Sequence, residues 1–182
     1  MLGSNVKMEN AMAKQINLGV ENDHIESLTK SNGINAISEL IWNSLDADAT
    51  RINIDYATNS IGNYQYIKIS DNGHGLTYLK AQEVFGKLGG SEKKYLTLSP
   101  KGRSFHGKEG KGRYKSLALG ELVNFQSVYQ NNGQLENFSI KVDRNQLSYS
   151  EISDLKQLNK NEVDTGFCVE ILNVDSKNAD KL

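Results

Sequence analysis

In SELIWNSLDADAT (Ser38–Thr50), Glu39, Asn43 and Asp46 stand at i, i+4 and i+7, a spacing that brings all three to one helix face. An Asn oxygen suits Mg²⁺, which takes few protein ligands and keeps waters and phosphate oxygens. A carboxylate one turn away can hold and polarise an attacking water. Ile37, Leu40, Ile41 and Leu45 fall on the other side and predict an apolar face, with Trp42 in the core or at its edge. Taken alone, the same three residues also describe a solvated face with ordinary i, i+4 hydrogen bonding.

Two glycine motifs follow. Asp71-Asn72-Gly73-His74-Gly75 comes directly after a strand-like run, where the glycines permit close backbone approach to a ligand and Asp71 can accept from an exocyclic amine. It can equally be a turn that caps a helix. Gly107-Lys108-Glu109-Gly110-Lys111-Gly112 has the form G-x-x-G-x-G before a helical stretch. Exposed backbone N–H groups and a helix N-terminus there would cradle an anion, with Lys108, Lys111, Arg113 and Lys115 adding positive charge. Arg113-Tyr114 stand where a P-loop needs Lys-Ser/Thr, and neither motif has G-x-G-x-x-G spacing.

The elements that must position these groups read as follows. Residues 1–20 form an arm with at most a short strand, Asn22–Lys30 a short helix, and Asn35–Ala47 the polar-faced helix. Thr50–Tyr56 and Tyr64–Ser70 alternate like strands around a turn at Asn59–Asn63 and predict a hairpin whose first strand is half buried. A helix runs from the Asp71 motif to about Leu88, and Arg113–Glu121 reads as another. The runs LVNFQSVY, LENFSIKV and GFCVEILNV read as later strands. The order predicts an α+β two-layer sandwich, with helices on one face of a mixed, largely antiparallel sheet.

Composition sets the frame. The chain has 182 residues, 37% hydrophobic and 24% charged, enough for one domain with a core. One cysteine, Cys168, allows no internal disulfide and reads as a small hydrophobe on a strand; with three histidines it makes a zinc cluster a poor fit. No apolar run is long enough to cross a bilayer and the start has no signal-like segment, so the chain reads as cytoplasmic without membrane partners. Net charge is −1, but Lys87–Lys115 holds nine basic and two acidic residues, +7 against −8 for the remainder. That local charge suits an anionic partner, or a solvated loop.

The ordered trio resembles the GHKL ATPases: gyrase B subunits, the large heat-shock chaperones, sensor histidine kinases, MutL and MORC proteins. Glu39, Asn43, Asp46 and Ala47 match E-x-x-x-N-x-x-D-A; Asp71, Gly73 and Gly75 match D-x-G-x-G; Gly107, Gly110 and Gly112 match G-x-x-G-x-G. The resemblance spans about Asn22 to Val174 and implies a Bergerat-type ATP-binding domain over residues 21–182. By it, Glu39 is the general base, Asn43 the Mg²⁺ ligand, Asp46 a pocket wall and Asp71 the acceptor of the adenine amino group. Gly73 and Gly75 admit the base, while Gly107, Lys108, Gly110, Lys111 and Gly112 hold phosphates under a lid at about residues 89–112.

Asn43-Ser44-Leu45-Asp46-Ala47 followed by a strand is most similar to the MutL and MORC branch, as is Gly89–Lys94, where Ser91 and Lys93 would contact nucleotide. The family's late G-T-x-V-x-I is altered, because Phe167 stands at the threonine position once Val169 and Ile171 are aligned; Thr165, two residues earlier, is the candidate substitute. The resemblance implies slow ATP hydrolysis by a domain of a larger protein. It also implies nucleotide-dependent homodimers, a second domain that supplies a lysine to the γ-phosphate, and DNA or protein clients. Two alternatives stay open: a histidine-kinase phosphotransfer domain, with His24 as the sole N-terminal acceptor, and a non-catalytic nucleotide-sensing or DNA-binding module.

Overall fold

A computed structural model describes residues 14–17, 32–86, 99, 102, 112–159 and 163–179. Its frame is one eight-stranded sheet: β1 (Lys14–Asn17), β2 (Ile52–Thr58), β3 (Tyr64–Asp71), β4 (Gly120–Asn131), β5 (Gln134–Asp143), β6 (Tyr149–Ile152), β7 (Lys156–Leu158) and β8 (Gly166–Val174). The spatial order is β1-β6-β5-β4-β8-β3-β2, with β7 paired to β5, and every pairing among the described residues is antiparallel. Helices α1 (Gly33–Asp46), α2 (Tyr78–Gly86) and α3 (Ser176–Ala179) and a 3₁₀ helix (Gly112–Ala118) complete the α+β architecture expected from the sequence.

Alternation builds the core. Val123, Phe125 and Tyr129 of β4, Phe138, Ile140 and Val142 of β5, Val169 and Ile171 of β8, and Ile67 and Ile69 of β3 are buried on one sheet face. Leu40, Phe85, Tyr114 and Leu117 join this cluster from the helical elements. The long β4–β5 hairpin turns at Asn132-Gly133, whose φ angles of 48° and 82° are those of the type I′ turn that matches strand twist.

Several expectations are corrected. The Arg113–Glu121 helix is the tighter 3₁₀ helix Gly112–Ala118, and Gly120 and Glu121 already belong to β4. β2 is the sheet edge and largely exposed rather than half buried: Ile54 and Tyr56 share the face of Ile69 and Ile67 but lie at its rim, 47% and 62% exposed. On α1 the side buried inward carries Gly33, Ala36, Leu40 and Ser44, and Asp46 is buried on the Glu39 face, while Ile37, Ile41 and Leu45 are only partly covered and Trp42 is 41% exposed. Of the predicted apolar face, Leu40 is in the core and Ile37 packs against it, while the most closely packed stripe holds small residues that let α1 approach the 3₁₀ helix and α3. A β-carbon on Gly33 would lie 2.3 Å from Asn178 O.

Asn32 caps α1 by accepting from Asn35 N at 3.2 Å, so Asn32-Gly33 starts this helix. The expected Asn22–Lys30 helix lies outside the described residues, and Lys14–Asn17 within the expected arm is a strand on β6. Strands β6 and β7, too short for a clear alternating signal, had not been expected.

Candidate functional site

The site forms where α1, the end of β3 and the 3₁₀ helix meet. Asp71 is the last residue of β3. Its Oδ1 accepts from Gly73 N at 2.8 Å and Phe167 N at 3.3 Å, and its Oδ2 accepts from Ser44 Oγ at 2.7 Å. The carboxylate is therefore oriented by three elements, α1, the Asp71 loop and β8.

Each neighbour in that loop has a structural partner. Asn72 Oδ1 accepts from Thr50 N at 2.9 Å and Arg51 N at 2.8 Å, tying the loop to the start of β2. His74 N donates to Ala47 O at 3.0 Å, just beyond α1. A β-carbon on Gly73 would lie 2.6 Å from that same oxygen. Gly75 has φ 70°, and a β-carbon there would lie 2.3 Å from Val128 O, so both conformation and space demand glycine. Ser127, fully buried in β4, donates to Leu76 O and accepts from Leu76 N, each at 2.8 Å.

Across the helix face, Lys115 Nζ donates to Glu39 Oε2 at 3.1 Å. Gly112 lies directly under the same side chain, for a β-carbon there would fall 2.2 Å from Glu39 Oε1. Asn43, one turn from Glu39, is partly buried, and Asp46 is 3% exposed. Thr165 lies beside the Asp71 loop, lining a surface depression with Asn72, Gln130, Leu135, Val163 and Asp164. Phe167, at the position expected for threonine, packs near Phe125 with ring centroids 6.2 Å apart.

The 3₁₀ helix is anchored to α2. The Arg113 guanidinium donates to Val84 O and lies over the rings of Phe85 and Tyr114, 5.5 Å and 5.9 Å from their centroids. Tyr114 Oη donates to Phe85 O at 3.0 Å. Burial pushes the Tyr114 phenol well above its ordinary range and lowers the Arg113 value. Val84 and Phe85, before residues 87–111, are thus held to Arg113 and Tyr114 after them. Within that segment, Ser99 Oγ donates to Asp48 Oδ1 at 2.6 Å; both residues are buried, and Asp48 has φ 60°.

The structure thus gathers Glu39, Asn43, Asp46, Asp71, Gly73, Gly75 and Gly112 around one helix and its neighbours. Ser91, Lys93, Gly107, Lys108, Gly110 and Lys111 lie outside the described residues, as does most of the expected lid. Sequence reasoning missed Ser44 as the partner of Asp71, Ser127 as the anchor of the loop, and the Asp48–Ser99 bond. A serine beside Asn43 carries no mark of a partner 27 residues away. Cys168 is partly buried on β8 with its thiol pushed up by burial, as suits a packing residue.

An antiparallel sheet flanked by helices is consistent with the fold of the GHKL class of ATP-binding domains. Residues 31–177 match the model of the histidine kinase-, DNA gyrase B- and HSP90-like ATPases, and the chain belongs to that family. No curated protein matches the chain. Members of the family bind ATP, and ATP hydrolysis is its general chemistry. Among the described residues no helix is long and apolar enough to cross a membrane.

Proposed function

We propose that this chain is a Mg²⁺-dependent, slowly hydrolysing ATPase domain of a larger MutL- or MORC-like cytoplasmic protein, in which nucleotide drives a conformational or dimerisation switch. The observation that carries the reading is the Asp71 carboxylate, held by Ser44 Oγ, Gly73 N and Phe167 N at the end of β3. An acceptor fixed in this way suits the exocyclic amine of adenine, since orientation is what separates it from a solvated carboxylate.

Glu39, part buried on the same helix, is the base that orients water toward the γ-phosphate, and Asn43 offers one neutral oxygen to the ion. Among the described residues no three His, Cys, Asp or Glu side chains converge on a common point. A single neutral oxygen from Asn43 suits an ion that brings waters and phosphate oxygens as its own ligands, as Mg²⁺ does. When bound, that ion spreads the charge developing on the transferred phosphoryl group. The glycine-lysine segment up to Gly112 covers the phosphates and excludes water, while Ser91, Lys93 and Thr165 contribute secondary contacts. Homodimerisation and DNA or protein clients follow from the same branch assignment.

Calorimetric titration with Mg²⁺-ATP tests the reading. Wild type should bind, Asp71→Asn should lose binding, and Glu39→Ala should bind without turnover. A wild type that binds no adenine nucleotide refutes it.

A further inference from the structure

We propose that Lys115 is the positioning residue for Glu39, forming with Gly112 a seat on the 3₁₀ helix that sets the carboxylate before the water attacks the γ-phosphate. The inference rests on the proposed function, in which Glu39 acts on the water. Its observations are independent of any nucleotide. Gly112 and Lys115 are three residues apart on a 3₁₀ helix, where side chains at i and i+3 eclipse, so both face α1 from the same side. Lys115 Nζ holds Glu39 Oε2 at 3.1 Å. The other carboxylate oxygen, Oε1, occupies the place a side chain on residue 112 would take, 2.2 Å from its would-be β-carbon.

The carboxylate is thereby held at Oε2 by charge, while the missing side chain at Gly112 leaves the space that Oε1 fills. The seat itself is stiff. Its helix is bound to α2 through Arg113 and the Val84 carbonyl and through Tyr114 and the Phe85 carbonyl, and Ser116 Oγ donates to Arg113 O at 2.6 Å within the turn. The ion pair is partly covered, with the Lys115 and Glu39 side chains 34% and 24% exposed, so solvent screens it less than a surface pair. Lysine supplies the contact as a point charge, leaving the remaining lone pairs of the carboxylate free to accept from water.

A lysine in this place has a competing role, direct contact with the phosphates, and the two separate kinetically. For a positioning residue, Lys115→Met should lower kcat by about 10–100-fold with ATP affinity changed less than about twofold, because only the geometry of the base is lost. Lys115→Arg should recover most of the rate. In a Glu39→Gln background, Lys115→Met should cost nothing further in kcat. A large loss of ATP affinity with kcat retained, or additive losses in the double variant, overturns the proposal.

A readout without nucleotide accompanies these: the ¹H–¹⁵N signal of the Lys115 ammonium, protected from exchange while paired, should be seen in wild type and vanish in Glu39→Gln. An ammonium signal indifferent to Glu39 also overturns the proposal. A wild type without ATP binding would instead refute the proposed function, and the ammonium signal would then decide the pairing alone.

Discussion

The Ser44 hydroxyl lies 2.7 Å from Asp71 Oδ2 and joins the last turn of α1 to the end of β3. Ser44 Oγ also lies 3.2 Å from Leu40 O, one turn back on α1. A hydroxyl has a single proton, and the shorter, charge-assisted bond to the carboxylate is the stronger claim on it. The helix that carries Glu39 and Asn43 is therefore registered against the carboxylate we propose for adenine by a bond between side chains 27 positions apart.

Ser44→Ala removes that bond and leaves Asp71 with its two backbone donors. It should lower stability by about 1–2 kcal/mol and weaken ATP binding several-fold without changing the fold. Thermal melting and calorimetry on the same sample check both; unchanged affinity would mean that the backbone donors alone orient Asp71.

Gly75→Ala should be among the most damaging small changes in the domain. The added methyl group meets the backbone oxygen of Val128, which cannot swing aside as a side-chain tip can, and the residue must hold φ 70°. Strain of this kind costs about 1–3 kcal/mol before the clash is counted. Circular dichroism melting should show a large fall in Tm; a mild one would show that the Asp71 loop can relax away from β4.

Ser127→Ala tests the other end of that loop. The hydroxyl satisfies both the N–H and the carbonyl of Leu76 from a fully buried position. Alanine leaves both without this partner, at a cost of about 2 kcal/mol. Amide exchange should quicken at Leu76 first, because that N–H loses its acceptor.

Gly112→Ala separates stability from chemistry. The atoms in the way belong to the Glu39 side chain, which can rotate outward, so folding should weaken by only about 1 kcal/mol. Displacing the base should nevertheless cut turnover on the order of 100-fold. Melting curves close to wild type together with lost ATPase rate are the expected pair of results; an unchanged rate would show that Glu39 works from the displaced position.

Tyr114 gives the fold an alkaline limit. Its phenol is 1% exposed, donates to Phe85 O, and is raised far above its ordinary value by burial. An unfolded tyrosine ionises near pH 10, so the stability Tyr114 contributes is complete below about pH 10 and is lost as pH rises toward the folded value. Tyr114→Phe should cost about 1–2 kcal/mol at neutral pH and flatten the decline between about pH 10 and 11, followed by chemical denaturation at each pH.

The local placement of the candidate residues was legible in the chain. The i, i+4, i+7 spacing placed Glu39, Asn43 and Asp46 on one face of α1, and the D-x-G-x-G loop appears at the end of the predicted strand. Local geometry suffices for this, because helical and extended periods are properties of consecutive residues. The β2–β3 hairpin was legible for the same reason.

Partnership was decided only by the tertiary structure. β8, last in the chain, inserts between β4 and β3 and brings Phe167 N to Asp71, a contact spanning 96 positions. Lys115 meets Glu39 across 76 positions, in a helix tightened to 3₁₀ as it docks on α2. Which side of α1 turns inward was likewise settled by close approach at Gly33, Ala36 and Ser44 rather than by the bulkier Ile37 and Ile41. The sequence by itself determined which groups share a face; long-range packing determined which atoms touch, because hydrogen bonds and close contacts depend on distances that residue order does not encode locally.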